Sequence, residues 1–152
     1  MRKSGHDSIP RRKSREFALQ ALYQLDVTKK DAQKTLRQFE DNFSKEGEKA
    51  GTTRSRDDFM ERLVLGVLEH CEEIDRLIEG YSENWRLDRM SIIDRAILRM
   101  AIFELLYCEE IPPKVTLDEA IELGKRFSTE ESGSFINGIL DRIQKEVVRK
   151  PI

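Results

Sequence analysis

Two cysteines, two histidines, four prolines and eight glycines are a small allotment for 152 residues. Each scarcity excludes something. Cys71 and Cys108 lie far apart inside apolar helical patterns, so they read as small buried hydrophobes of a reducing compartment, not as a disulfide framework. His6 and His70 stand alone, and no CxxC or HExxH spacing occurs, so no zinc site and no other metal is expected. No apolar run approaches the roughly 20 residues that a bilayer requires, and the N-terminus lacks a signal-peptide apolar core. A soluble cytoplasmic chain with no membrane partner is the expectation. A Gly-rich loop after a strand and a catalytic-cysteine motif are both missing, so no cofactor and no enzymatic activity are expected. Alternating strand patterns are missing too. The one Asn-Gly pair, Asn137-Gly138, sits inside a helical pattern. The fold class is all-α.

What the sequence does have is an uneven charge. Residues 1–15 carry six basic side chains (Arg2, Lys3, Arg11, Arg12, Lys13 and Arg15) against Asp7, a formal +5 in a chain whose total is −2. The remainder is therefore acidic. Arg11-Arg12-Lys13-Ser14-Arg15 leads directly into Phe17-Ala18-Leu19-Gln20-Ala21-Leu22-Tyr23, so the cations fall on the first turn of a helix. Cations there oppose the helix macrodipole at roughly 0.3–1 kcal/mol each. The same helix end offers backbone N–H groups that suit phosphate. A solvated arm with no partner is the plain reading; a nucleic-acid contact is the sharper one.

Apolar periodicity places the elements. A first helix covers about Pro10 to Val27, with Phe17, Ala18, Ala21, Leu22 and Leu25 inward and Arg12, Arg15, Leu19 and Tyr23 along another side. A second runs from about Lys29 to Phe43, and residues 44–56 form a loop. Met60, Val64, Val67, Cys71, Ile74, Ile78 and Tyr81 repeat at alternating fours and threes, predicting one long helix whose Gly66 marks a close contact. Trp85 lies in a break. Ser91-Ile92-Ile93-Asp94 reads as a capping box, with Asp94 reaching back to the Ser91 amide. The helix it opens is apolar nearly all round and so central, with Arg95 and Arg99 sharing a face. Thr116-Leu117-Asp118-Glu119 and Ser128-Thr129-Glu130-Glu131 read as two further boxes. The helix after the last carries Phe135, Ile136, Ile139, Leu140, Ile143 and Val147.

Four segments carry a resemblance. They are Arg11-Arg12-Lys13-Ser14-Arg15-Glu16-Phe17-Ala18-Leu19-Gln20-Ala21-Leu22-Tyr23, Leu98-Arg99-Met100-Ala101-Ile102-Phe103-Glu104-Leu105-Leu106, Val115-Thr116-Leu117-Asp118-Glu119-Ala120-Ile121-Glu122-Leu123 and Phe135-Ile136-Asn137-Gly138-Ile139-Leu140-Asp141. In this order, over about residues 10–146, they closely resemble the NusB family of bacterial transcription antitermination factors. The resemblance implies a helical bundle of about six to seven helices in two packed subdomains: residues 1–9 a flexible basic arm, 10–82 the N-terminal subdomain and 83–152 the C-terminal one. It implies binding to the single-stranded boxA element of nascent ribosomal RNA transcripts together with the ribosomal protein NusE. NusA, NusG and RNA polymerase complete the larger assembly, which sustains processive elongation.

Carried over by position, Arg11, Arg12, Lys13 and Arg15 become RNA-backbone contacts. Glu131, Ser132, Ser134 and Phe135 become a second RNA patch with Phe135 stacking on a splayed base, and Tyr23 and Asp94 become contacts to NusE. Periodicity alone would make Phe135 a core residue and Tyr23 a rim residue. Two positions depart from the family pattern: Ser134 stands where a basic residue is usual, and Glu131 replaces a shorter aspartate. Four neutralised phosphates would give a salt slope of roughly −3, a modest affinity that a partner completing the RNA groove would raise. The alternatives are a helical protein-binding scaffold, with a second copy of the chain as homodimer partner through the Met60–Tyr81 seam, and an accessory module related to the N-terminal domain of ribosomal-RNA cytosine methyltransferases.

Overall fold

The computed structural model describes residues 9–28, 37, 57–82 and 87–148. The expected second helix apart from Arg37, the 44–56 loop, Trp85 and residues 1–8 of the basic arm lie outside them. Six α-helices are described: α1 (Arg11–Thr28), α2 (Asp58–Glu69), α3 (Cys71–Tyr81), α4 (Ile92–Tyr107), α5 (Pro113–Phe127) and α6 (Glu130–Ile143). A 3₁₀ turn, Leu87–Arg89, precedes α4, and a π-helical turn, Gln144–Val148, follows α6. The chain divides into two compact units, residues 1–65 and 66–152, a division that falls inside α2 and differs from the expected one at 82/83.

In the first unit, α1 buries Ala18, Ala21, Leu22 and Leu25 as its apolar stripe requires, and Leu19 is buried with them. Its first turn is tied down by a side chain that periodicity does not reveal. Asp57, directly before α2, accepts the Ser14 hydroxyl through Oδ1 at 2.8 Å. The same oxygen accepts the Met60 amide at 3.0 Å, so Asp57 also caps α2. Both groups are buried, which makes this bond costly to remove.

In the second unit α4 is central. Ala96, Ile97, Leu98, Met100, Ala101, Ile102, Phe103 and Leu105 are buried, and α3, α5 and α6 pack on it. Each large apolar side chain so buried contributes roughly 1.5–3 kcal/mol. The α4 polar residues are spoken for. Arg99 makes a two-pronged pair with Asp75 at 2.8 and 3.0 Å, and Arg95 donates to the Leu87 carbonyl at 3.0 Å. Glu104, buried, accepts the Thr116 hydroxyl at 3.0 Å. Gly66 has its expected role: a Cβ there would lie 2.2 Å from the Phe103 ring.

Several expectations need correction. The long helix through Met60 and Tyr81 is broken at His70, whose backbone (φ −108°, ψ 20°) leaves helical geometry. Its ring stacks on Tyr107 with centroids 4.1 Å apart. The apolar phase survives this break, so spacing alone cannot see it. Helix α5 begins at Pro113, not after Thr116, because proline suits the first helical position. Thr116 faces Glu104 instead of capping. The cap of α6 is Thr129, which accepts the Ser132 amide at 3.1 Å, one residue later than the expected box. Cys71 is only half-buried, while Cys108 is buried as expected.

Candidate nucleic-acid interface

The two regions expected to meet RNA lie in different units. In the first, Arg11, Arg12 and Lys13 are exposed at the start of α1, and the first turn holds no acid. Their stems are braced. The Arg11 guanidinium lies 4.4 Å from the Phe59 ring centroid. The Lys13 ammonium sits 3.7 Å from Glu16 and 5.9 Å from the Phe17 centroid. Arg15 departs from expectation: it is buried, its guanidinium 5.3 Å from the Phe59 centroid. One helical turn beyond Arg11, it follows the same ring inward, so it braces Phe59 rather than facing solvent. Three exposed cations remain instead of four. Tyr23 is exposed, as a contact residue must be.

The second region is a pocket of about 350 Å³. Met90, Ser91 and Asp94 line it from the start of α4, and Thr129, Glu131, Ser132 and Phe135 from the start of α6, with Arg89 of the 3₁₀ turn beside them. Ser91 caps α4 by accepting the Asp94 amide at 3.0 Å. Asp94 does not close the box by returning to the Ser91 amide. Its Oδ2 accepts the Ser132 hydroxyl at 3.0 Å, joining the first turns of α4 and α6, while Oδ1 is buried with no partner among the described residues. Ser132 also meets the Ser128 and Thr129 hydroxyls at 2.9 and 3.1 Å.

Ser132 is thus buried and occupied by the protein's own bonds, whereas Glu131 and Ser134 are exposed and Phe135 is half-buried. The structure therefore brings together Asp94, Glu131, Ser132 and Phe135, which were assigned to two different partners. It adds Arg89 and Met90, which no motif marks, and Thr129, which stood in a capping box as a helix-start residue only. Thr129 was legible as the residue before two acids at a helix start. Arg89 and Met90 lie in a short turn that carries no periodic signal.

Among the described residues no cluster of three or more His, Cys, Asp or Glu could hold a metal ion, and no helix is long and apolar enough to cross a membrane. The class these features define is an all-helical protein with a cationic helix start suited to a polyanion's backbone and a separate ring-lined pocket. The NusB family model matches residues 12–145. The transcription antitermination protein NusB of Myxococcus xanthus (strain DK1622) is 50% identical over 133 residues, 88% of this chain and 93% of that one. Among solved structures, T. maritima NusB matches with a TM-score of 0.79 and 40% identity, covering 91% of this chain and 93% of that one. The crystal structure of antitermination factors NusB and NusE in complex with dsRNA matches with a TM-score of 0.71 and 26% identity, covering 89% and 96%. The chain belongs to the NusB family.

Proposed function

We propose that this chain is an RNA-binding transcription antitermination factor that works in the cytoplasm as an adaptor and not as a catalyst. The observation that carries the reading is the exposed Arg11-Arg12-Lys13 turn at the α1 N-terminus, a turn that itself holds no acid. Family membership supplies the RNA class: boxA-type single-stranded RNA of nascent ribosomal transcripts, bound with the ribosomal protein NusE, with NusA, NusG and RNA polymerase in the larger assembly. The cations supply affinity through the RNA backbone with little sequence information. Phe135 supplies a face for one unpaired base, and Glu131 and Ser134 frame it. With Arg15 inward, three phosphates are neutralised and the salt slope is about −2. Tyr23 is the partner contact for NusE. The acidic remainder of the chain favours a basic partner and discourages indiscriminate RNA binding.

The test is fluorescence anisotropy on labelled boxA RNA, scrambled RNA and a duplex, each titrated with this chain alone and with NusE added. Sequence-selective binding to the single strand, tightened by NusE, is the expected result. Equal weak binding to all three RNAs, with no effect of NusE, would overturn the adaptor reading. Self-association in light scattering, competing with RNA, would favour the homodimeric scaffold.

A further inference from the structure

Arg89 is the one cation among the described residues that line the pocket at the start of α6. It is exposed, yet the turn that carries it is held on both sides. Arg95 donates to the Leu87 carbonyl at 3.0 Å, the Met90 amide donates to the same carbonyl at 3.3 Å, and the Met90 side chain is buried. Asp94 and Glu131 line the same pocket, but the Arg89 guanidinium forms no hydrogen bond or ion pair with another described residue. An arginine carried on a braced turn at a pocket rim, with no ion pair to another described residue, is open to an anion from outside.

The α6 side of the pocket cannot supply that attraction. Glu130 and Glu131 are its first-turn residues, and Ser134 is neutral. A nucleotide whose base lay on Phe135 would bring a phosphate close to these carboxylates, and Arg89 is the group that offsets the repulsion. We propose that Arg89 contacts the phosphate of the RNA nucleotide whose base stacks on Phe135. The proposal rests on the reading of Phe135 as a base-stacking residue.

The experiment measures boxA RNA affinity between 50 and 200 mM salt for Arg89→Ala, Arg89→Lys, Phe135→Ala, the Arg89→Ala/Phe135→Ala double variant and a charge-matched control, Lys114→Ala. Loss of one single-strand phosphate contact flattens the salt slope by about 0.7, so the affinity lost over that fourfold range shrinks by about 2.6-fold. Arg89→Ala should show this and Lys114→Ala should not. Arg89→Lys should restore the slope, because lysine still binds phosphate as a point charge. The double variant should lose less than the two single losses combined. Arg89→Ala behaving like wild type or like the lysine control overturns the proposal. So does an affinity loss at unchanged slope that lysine fails to repair, which would mark a base-edge contact. Phe135→Ala without effect sinks the base-stacking reading itself, whereas Phe135→Ala weakening RNA while Arg89→Ala is silent sinks only the role given to Arg89.

Discussion

The starts of α1 and α6 are anchored by the same device and charged in opposite ways. At each, a buried serine hydroxyl donates to an aspartate from another segment: Ser14 to Asp57 at 2.8 Å and Ser132 to Asp94 at 3.0 Å. At each, the second carboxylate oxygen is buried with no partner among the described residues. The resemblance ends there. The first turn of α6 holds Glu130 and Glu131, which the helix dipole favours, and Thr129 caps it. The first turn of α1 presents Arg11, Arg12 and Lys13 against the dipole. One helix start is arranged for its own stability. The other gives up some stability to hold positive charge where a polyanion can reach it. The two should therefore respond differently to salt: α1 binds through a run of three charges, and the pocket through a ring with the single cation Arg89 beside it.

The comparison is sharpest in RNA affinity. Phe135→Ala should weaken boxA binding by about 1–3 kcal/mol, the range for losing one base–aromatic stack, while leaving the salt slope near its wild-type value. A slope that flattens by about 0.7 would mean that losing the stack also releases the phosphate assigned to Arg89. Replacing Arg11, Arg12 and Lys13 together by alanine should do the reverse. The slope should flatten by about 2, so that raising salt from 50 to 200 mM removes about 16-fold less affinity than in wild type. Thermal stability should hold or rise, since cations at a helix start cost roughly 0.3–1 kcal/mol each. Some of that gain is lost with the Arg11–Phe59 contact. An unchanged slope would remove the phosphate assignment.

The shared anchor can be tested against the unshared charge. Ser14→Ala and Ser132→Ala each leave an aspartate that has one buried oxygen with one partner fewer, and each should destabilise the fold by about 1–3 kcal/mol in urea unfolding. Their effects on RNA should diverge. Ser132→Ala frees the turn that precedes Phe135 and should lower affinity at unchanged slope. Ser14→Ala lies beneath cations that are already exposed and should leave the slope intact. Equal RNA effects from the two variants would mean that the anchors serve only stability.

How far these two regions were legible in the sequence follows from what each is made of. The α1 cations form a contiguous run, and a run is visible without a fold. The α4 core is visible because apolar residues surround it. The inward turn of Arg15 is not visible, since it depends on Phe59 arriving from α2. Asp57 is hidden for the same reason: it stands just after a segment with no period, although an aspartate directly before an apolar helical run is a recognised start signal. The pocket could be read only as two unrelated patches, because Asp94 and Ser132 are far apart in the chain and share a bond only after α4 and α6 pack. Asp94 fits a capping box equally well on paper. The competing donor, the Ser132 hydroxyl, is a tertiary fact.

An exposed hydroxyl–carboxylate pair shows what burial adds to the buried ones. Tyr107 donates to Glu73 on the surface, with the His70 ring stacked on the tyrosine. The bond to Glu73 holds the Tyr107 phenol above its ordinary value of 10.0, helped by partial burial and by the negative charges of Glu73 and Glu69. The neutral phenol is the form the fold favours. Its contribution to stability is therefore fully present below about pH 10, the unfolded value, and is lost as pH rises through the raised folded value. Tyr107→Phe should narrow the stability gap to wild type only in that alkaline window. Because the pair is exposed, the gap at neutral pH should be smaller than for either serine variant. Ultraviolet titration of tyrosinate checks the premise: the signal that Tyr107→Phe removes must belong to the latest-ionising phenol. If it ionises at or below the ordinary value, the Glu73 bond does not persist in solution, and burial is what separates a lasting hydroxyl–carboxylate anchor from a transient one.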